Sequence, residues 1–173
     1  FFKYTRWGLA MQATADDEFM REYGVEIILS AGQFYASRLE WDPADAAFHI
    51  RNVIGPDEYH ERVHNNAYTN RMAKFALETA VGILEKEAKK FPDFDIWKEV
   101  AEELYIPQPA ADGIIPQFDG YFKLEDCTLE ELKSRIINPT EYLGGGNGLA
   151  STTQILKQAD VVLMLNLFPD DWS

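Results

Sequence analysis

Two short stretches of this chain concentrate the side chains that can move protons or hold a polar ligand. The first runs Gly55-Pro56-Asp57-Glu58-Tyr59-His60-Glu61-Arg62-Val63-His64. Read through its carboxylates, it places Asp57, Glu58 and Glu61 in one loop beside Tyr59 and His60. Cleaving a glycoside needs a carboxylic acid that keeps its proton near neutral pH. A partly buried Glu beside another carboxylate is biased that way by lost hydration and by like charge. A solvated charge cluster is the plainer reading of the same residues. Read through its imidazoles, His60-Glu61-x-x-His64 matches the zinc pattern H-E-x-x-H. There two rings one helical turn apart bind the metal and the Glu polarises a bound water, with Glu85 as a candidate third ligand. That chemistry needs a helix. Gly55-Pro56 before the motif and Asn65-Asn66 after it read as loop punctuation, which favours two partly solvated histidines and no metal.

The second stretch is Lys157-Gln158-Ala159-Asp160, directly ahead of Val161-Val162-Leu163-Met164-Leu165. A helix apolar nearly all round is expected to be buried, so the polar residues at its N-terminal end must face a wet cavity or pair with one another. A Lys157/Asp160 pair on an exposed first turn fits the spacing equally well. Gly144-Gly145-Gly146-Asn147-Gly148 reads as a flexible break. It is not a nucleotide loop, since no Gly-Lys-Ser/Thr ending or preceding strand accompanies it.

The elements that must position these residues are mostly helical. Tyr4, Trp7 and Met11 recur at helical spacing, and Asp16-Asp17-Glu18 gives an acidic helix start. Ile28, Ala31, Tyr35 and Leu39 then keep one face apolar until Trp41-Asp42-Pro43 turns the chain. Alternation over Phe48 to Ile54 predicts a short strand. Tyr68, Met72, Phe75, Thr79 and Ile83 form the stripe of the clearest helix, with Lys86, Lys89 and Lys90 suited to its C-terminal dipole. Ile96, Val100 and Leu104 mark another helix, stopped before Pro107. Residues 105–127 read as an irregular excursion, and Thr128-x-x-Glu131 as a capping-box start. Phe168-Pro169-Asp170-Asp171-Trp172-Ser173 reads as the opening of a further helix. Both ends therefore read as cut, and the 173 residues as one segment of a larger domain, truncated at both ends.

Bulk properties exclude several classes. At 173 residues with 46% hydrophobic positions, the chain can build a core. A formal charge of −13 repels a phosphate backbone, so nucleic acid is not the expected partner. No apolar run approaches the ~20 residues of a spanning helix, so no membrane partner is expected. A single cysteine, Cys127, makes no intrachain disulfide, and a reducing cytoplasm is the expected setting.

Four blocks carry a resemblance. Val53-Ile54-Gly55-Pro56-Asp57-Glu58-Tyr59-His60-Glu61, Asn65-Asn66-Ala67-Tyr68-Thr69-Asn70, Gln117-Phe118-Asp119-Gly120-Tyr121-Phe122 and Lys157-Gln158-Ala159-Asp160-Val161 together resemble the central catalytic domain of glycoside hydrolase family 65. That family holds the inverting maltose, trehalose and kojibiose phosphorylases and related hydrolases. The resemblance spans nearly the whole chain in order, and four blocks together are far more specific than one H-E-x-x-H.

The resemblance implies an all-α fold with short β excursions, these residues forming roughly the second half of an (α/α)6 barrel. It implies a general acid at Glu58, with Glu61 as the alternative, and sugar contacts from Lys157 and Gln158. It also implies cleavage of an α-glucosidic disaccharide with inversion, most simply by phosphorolysis, with an inverting hydrolase as the alternative; from other classes, a zinc metalloprotease acting through His60-Glu61-x-x-His64 and a non-catalytic helical sugar-binding module are the competing readings. Phosphate is already anionic and needs no general base, whereas water needs a second carboxylate. Inorganic phosphate is then the co-substrate, with no other cofactor and no metal. The phosphate-holding residues lie beyond the Lys-Gln block in the family and are not assigned in this chain. The remainder of the barrel is the expected partner of these residues, and the isolated segment is expected to be inactive and to self-associate through uncovered apolar faces. Where family members commonly show Asp before Asn-Asn, this chain has His64, which creates the zinc-like pattern by substitution.

Overall fold

A computed structural model describes residues 19–87 and 92–172. The chain divides into two compact units, one holding Ala73–Glu102 with the stretch up to Arg38, the other Leu39–Met72 with Glu103–Ser173. The Tyr4/Trp7/Met11 face, the Asp16-Asp17-Glu18 start and Lys89-Lys90 lie outside the described residues. The described residues are rich in helix and poor in strand.

In the first unit a π-helical turn, Met20–Gly24, leads into α1 (Val25–Arg38). The later part of α2 (Ala67–Glu87) and α3 (Phe94–Glu103) complete it. Gly32 shows why these helices pack closely. A Cβ there would lie 2.9 Å from Ala80 Cβ and 3.1 Å from Trp97 Cζ3, tighter than ordinary van der Waals contact. Trp97, Leu77 and Leu84 are fully buried, as are Ala73 and Ala80. The stripe predicted for α2 is therefore not the most buried one: Phe75 is exposed, and the alanine-rich face beside it is covered. Small side chains let a neighbouring helix approach where the larger aromatics would hold it off.

The second unit begins with a hairpin, β1 (Glu40–Asp42) and β2 (Ala47–His49), antiparallel with Trp41 opposite Phe48. The Trp41-Asp42-Pro43 segment thus opens the turn but also supplies the first strand. Asp42 Oδ1 accepts the Ala44 N–H, an Asx turn, and Ala46 takes a left-handed conformation to close the loop. The strand expected over Phe48 to Ile54 ends early. Past His49, the Ile50 N–H is taken by the Asn65 side chain and Asn52 has φ 55°, so no ladder can continue.

Val53 and Val63 then exchange both backbone hydrogen bonds at 3.0 Å, tying off a loop with residues 54–62 at its tip. Residues 105–127 are irregular apart from a 3-10 turn at Tyr121–Lys123. α4 (Leu129–Ser134) starts with the predicted capping box, Thr128 and Glu131 exchanging side-chain-to-backbone bonds. A 3-10 turn at Leu149–Thr152 precedes α5 (Asp160–Leu167), and another, Pro169–Trp172, follows it.

Ala67, Ile115 and Met164 form one core cluster of this unit, with Tyr68, Leu165, Phe168 and Trp172 against it. Contrary to the sequence expectation, α5 is not buried all round, since Val162 and Leu163 are exposed. The Gly144–Gly148 run is no loose break either. A Cβ on Gly144 would lie 2.7 Å from the Glu58 carbonyl, and one on Gly148 would overlap the Leu143 and Gly144 carbonyls, so the turn is packed against the 54–62 loop.

Candidate active site

The loop tied by Val53 and Val63 carries Glu58 to the segment that ends at the N-terminus of α5. Glu58 Oε2 lies 2.5 Å from Lys157 Nζ, and the Glu58 N–H donates to Gln158 Oε1 at 3.2 Å. The three residues read from sequence as acid and sugar contacts therefore meet, although 99 and 100 positions separate them. The Lys157 ammonium is held charged beyond its ordinary range, chiefly by the Glu58 carboxylate. Both side chains are partly solvent-exposed, so the pair contributes little stability and its significance is positional.

Tyr142 completes this surface. Its hydroxyl donates to the Glu58 carbonyl at 2.9 Å, and its ring lies 5.7 Å from Lys157 Nζ and edge-on to Tyr59. Nothing in its sequence neighbourhood singled it out. Glu61, the alternative acid, is exposed over the glycine turn, where a Cβ on Gly145 would lie 3.5 Å from Glu61 Oε1. Lys157 pairs with Glu58 rather than with Glu61.

Behind Glu58 lies a buried polar network. Asp57, 1% exposed, accepts from His60 Nδ1 at 2.6 Å and Gln117 Nε2 at 3.0 Å through one oxygen. Through the other it accepts the backbone N–H groups of Lys157, Tyr59 and Gln158. Burial alone would push Asp57 up, but His60 and these N–H groups outweigh it and hold the carboxyl below its usual range. His60 Nε2 faces the Thr153 carbonyl at 2.8 Å, so both ring nitrogens point at acceptors. Burial pushes this imidazole toward neutrality, yet the Asp57 bond and the Thr153 carbonyl prevail and raise its pKa.

Asp160, fully buried, accepts from Asn66 Nδ2 at 2.7 Å while its Oδ1 has no partner. Burial, with the Asp57 charge adding to it against the Asn66 bond, raises its pKa to about 6. Asn66 in turn caps α2 by accepting from the Thr69 N–H and hydroxyl. The polar residues ahead of α5 do pair, but across the unit: Lys157 with Glu58 and Asp160 with Asn66, not with each other.

The zinc geometry is not built at the H-E-x-x-H segment. Residues 60–64 are not helical, His60 has no ring lone pair turned to a metal, and His64 Nδ1 accepts the Asn52 N–H at 3.1 Å. Glu85 lies on α2. Among the described residues the side chains grouped closely enough to hold a cation are Asp42, Asp45 and His49. Their hydrogen bonds account for them. Asn65 Oδ1 accepts the Ile50 and Asn70 donors, so its Nδ2 donates to His49 Nδ1, and His49 Nε2–H is left to donate to Asp45. Asp42 is taken by Arg51 and the Ala44 N–H, which hold it ionised.

No helix among the described residues is long and apolar enough to cross a membrane. The profile of the glycosyl hydrolase family 65 central catalytic domain matches residues 6–173. The chain is 47% identical over 174 residues to a nigerose phosphorylase of Lachnoclostridium phytofermentans, covering 92% of this chain and 23% of that protein. It is 38% identical over 171 residues to a 1,2-alpha-glucosylglycerol phosphorylase of Bacillus selenitireducens, covering 91% of this chain and 22% of that protein. A solved structure from the human microbiome, proposed by its name to be a kojibiose phosphorylase, superposes with a TM-score of 0.74 at 25% identity over 92% of this chain and 22% of its own. The chain thus spans less than a quarter of the length of the relatives it matches.

Proposed function

Because this chain belongs to glycosyl hydrolase family 65, we propose that it is part of the catalytic domain of an enzyme that cleaves an α-glucosidic disaccharide by phosphorolysis with inversion. In this reading Glu58 protonates the departing oxygen, while phosphate attacks the anomeric carbon from the opposite face. The old C–O bond breaks as the new one to phosphate forms, and the Glu58 proton leaves with the second sugar. Lys157 and Gln158 hold the sugar whose anomeric carbon reacts. The fold would be roughly the second half of an (α/α)6 barrel, completed by the rest of the domain.

The observation that carries the reading is the Glu58–Lys157 contact made 99 residues apart. It also suggests how acid and binding group cooperate. A carboxylate held by an ammonium accepts from it and has no proton to give, so Glu58 must take one up from solvent as a bound sugar draws Lys157 onto its hydroxyl groups, and only then hand it to the departing oxygen. The names of the relatives also support phosphorolysis over hydrolysis.

The test is to supply the whole protein with α-linked glucose disaccharides, with and without phosphate. Phosphate-dependent formation of a glucose phosphate is expected. Equal glucose release without phosphate would instead identify a hydrolase.

A further inference from the structure

Asp57 is buried, yet it immediately precedes the proposed acid and draws five donors. Its Oδ1 accepts the N–H groups of Lys157 at 2.9 Å, Tyr59 at 3.2 Å and Gln158 at 3.4 Å. Its Oδ2 accepts from His60 at 2.6 Å and from Gln117 at 3.0 Å. These donors come from three separate stretches of chain, and two of them are the backbone of the proposed sugar-holding pair.

We infer that Asp57 is the positioning residue of this site: one buried carboxylate, backed by His60 and Gln117, fixes the Glu58–Tyr59 peptide through the Tyr59 N–H and the backbone of Lys157 and Gln158 together, and so sets the spacing of acid and sugar contacts. The inference rests on the reading of Glu58, Lys157 and Gln158 given above. Any shift of Oδ1 moves both partners at once, and a displacement of about 1 Å at a reacting group can cost about 10²-fold in rate.

The surroundings leave no place for a donor at Asp57. Gln117 Oε1 accepts the Asp160 N–H at 3.3 Å, so Nε2 is the end that reaches Asp57. His60 spends its Nε2–H on the Thr153 carbonyl, leaving Nδ1–H for Asp57. In Asp57→Asn the amide must face either the three backbone N–H groups or the His60/Gln117 side. His60 could shed its Nδ1 proton and accept, but Gln117 could turn only by placing its own NH₂ against the Asp160 N–H. The shape survives and at least one bond is lost on either side.

The test uses the whole protein with phosphate and two donors, a disaccharide and α-glucosyl fluoride. Asp57→Asn, checked as folded by circular dichroism and a cooperative melt, should lose about 10² in kcat on the disaccharide, less on the fluoride, which needs the acid little, and raise KM for both. In a Glu58→Gln/Lys157→Ala background the same substitution should cost at least tenfold less, because the side chains it positions are gone. Wild-type kcat and KM in folded Asp57→Asn, or an undiminished penalty in the Glu58→Gln/Lys157→Ala background, would overturn the inference. If Asp57→Asn does not fold, His60→Gln keeps one N–H for Asp57 and should show a loss of about tenfold on the disaccharide and less on the fluoride; wild-type kinetics in that folded variant would overturn it equally. Glu58→Gln, run alongside, judges the acid by itself. No loss on the disaccharide there would remove the underlying reading and this inference with it, whereas a normal Glu58 result with an inert Asp57 removes only the inference.

Discussion

The α-carbon of Gly55 sits directly against the Asp160 carboxylate. A Cβ at this position would overlap Asp160 Oδ2 and lie 2.5 Å from Asn66 Nδ2. Only glycine lets the chain pass the Asn66–Asp160 hydrogen bond as it enters the loop that carries Glu58. Gly55→Ala should therefore part that bond and loosen the cap of α2, lowering stability by about 1–3 kcal/mol, the usual cost of overpacking. Thermal unfolding of the variant checks this, and an unchanged midpoint would mean that the loop has slack the packing does not show.

Asp160 gives a pH signature. Its folded value of about 6 lies above the ordinary 3.8, so between those pH values the native state binds more protons than the unfolded chain. Stability from this group should fall as pH rises through that window, by on the order of 3 kcal/mol in all, and stay reduced above it. Asp160→Asn should erase the slope and melt higher than wild type at pH 7.5 but not at pH 4. Melts across that range decide it, and parallel profiles for the two proteins would refute the assignment.

His60 works in the same direction at higher pH. Its pKa is raised in the fold, so its contribution is fully present below 6.5 and is lost as pH climbs through the folded value. Asp57, held low, contributes above 3.8 and loses its contribution only as pH falls through its folded value. His60→Gln should flatten the alkaline limb of the stability curve and also weaken the acid limb, since His60 helps hold Asp57 low. A variant whose alkaline limb stays as steep as wild type would show that His60 is not the group titrating there.

The acid itself can be told from its neighbours by leaving group. Glu58→Gln keeps shape but cannot supply a proton, and should lose about 10²–10⁴ in rate on a disaccharide. It should lose far less on glucosyl fluoride, whose fluoride departs with little help. Lys157→Ala should impair both donors alike, since holding a sugar does not depend on what leaves it. If Glu61→Gln shows the leaving-group dependence and Glu58→Gln does not, the acid is Glu61.

The H-E-x-x-H pattern should be inert toward zinc. With His60 bound to two acceptors and His64 to the Asn52 amide, added zinc should leave the melting temperature unchanged, and a chelator should leave the activity unchanged. About one zinc per chain, lost with either His60→Ala or His64→Ala, would contradict this account of the loop.

What could be read in the sequence follows from how far each interaction reaches. The Thr128/Glu131 capping box spans three residues and was legible from the letters alone. The meeting of Glu58 with Lys157 and Gln158 has no local signal, because no local rule links positions 99 residues apart; only the four blocks taken in order put the three in one expected site. Asp57 stood in plain view among the loop carboxylates, but its main partners are backbone N–H groups, which every residue but proline carries, so side-chain type gave no signal. The α2 stripe was misplaced for a related reason: large apolar residues draw attention, while the covered face is built on Ala73, Leu77 and Ala80. The exposure of Val162 and Leu163 on α5 likewise has no mark in composition.

The contacts that join the 57–60 loop to residues 153–158 span 93 to 101 positions of chain. At about 5–20 residues per second of synthesis, the ribosome delivers Lys157 roughly 5–20 s after Glu58. During that interval the Asp57 carboxylate and the His60 ring have, of their partners in the finished unit, only the neighbouring chain and the Gln117–Phe118 segment to meet. Order of manufacture therefore makes this a late-forming part of the unit, and a nascent chain halted before Thr153 carries the proposed acid without the Lys157 and Gln158 contacts that face it.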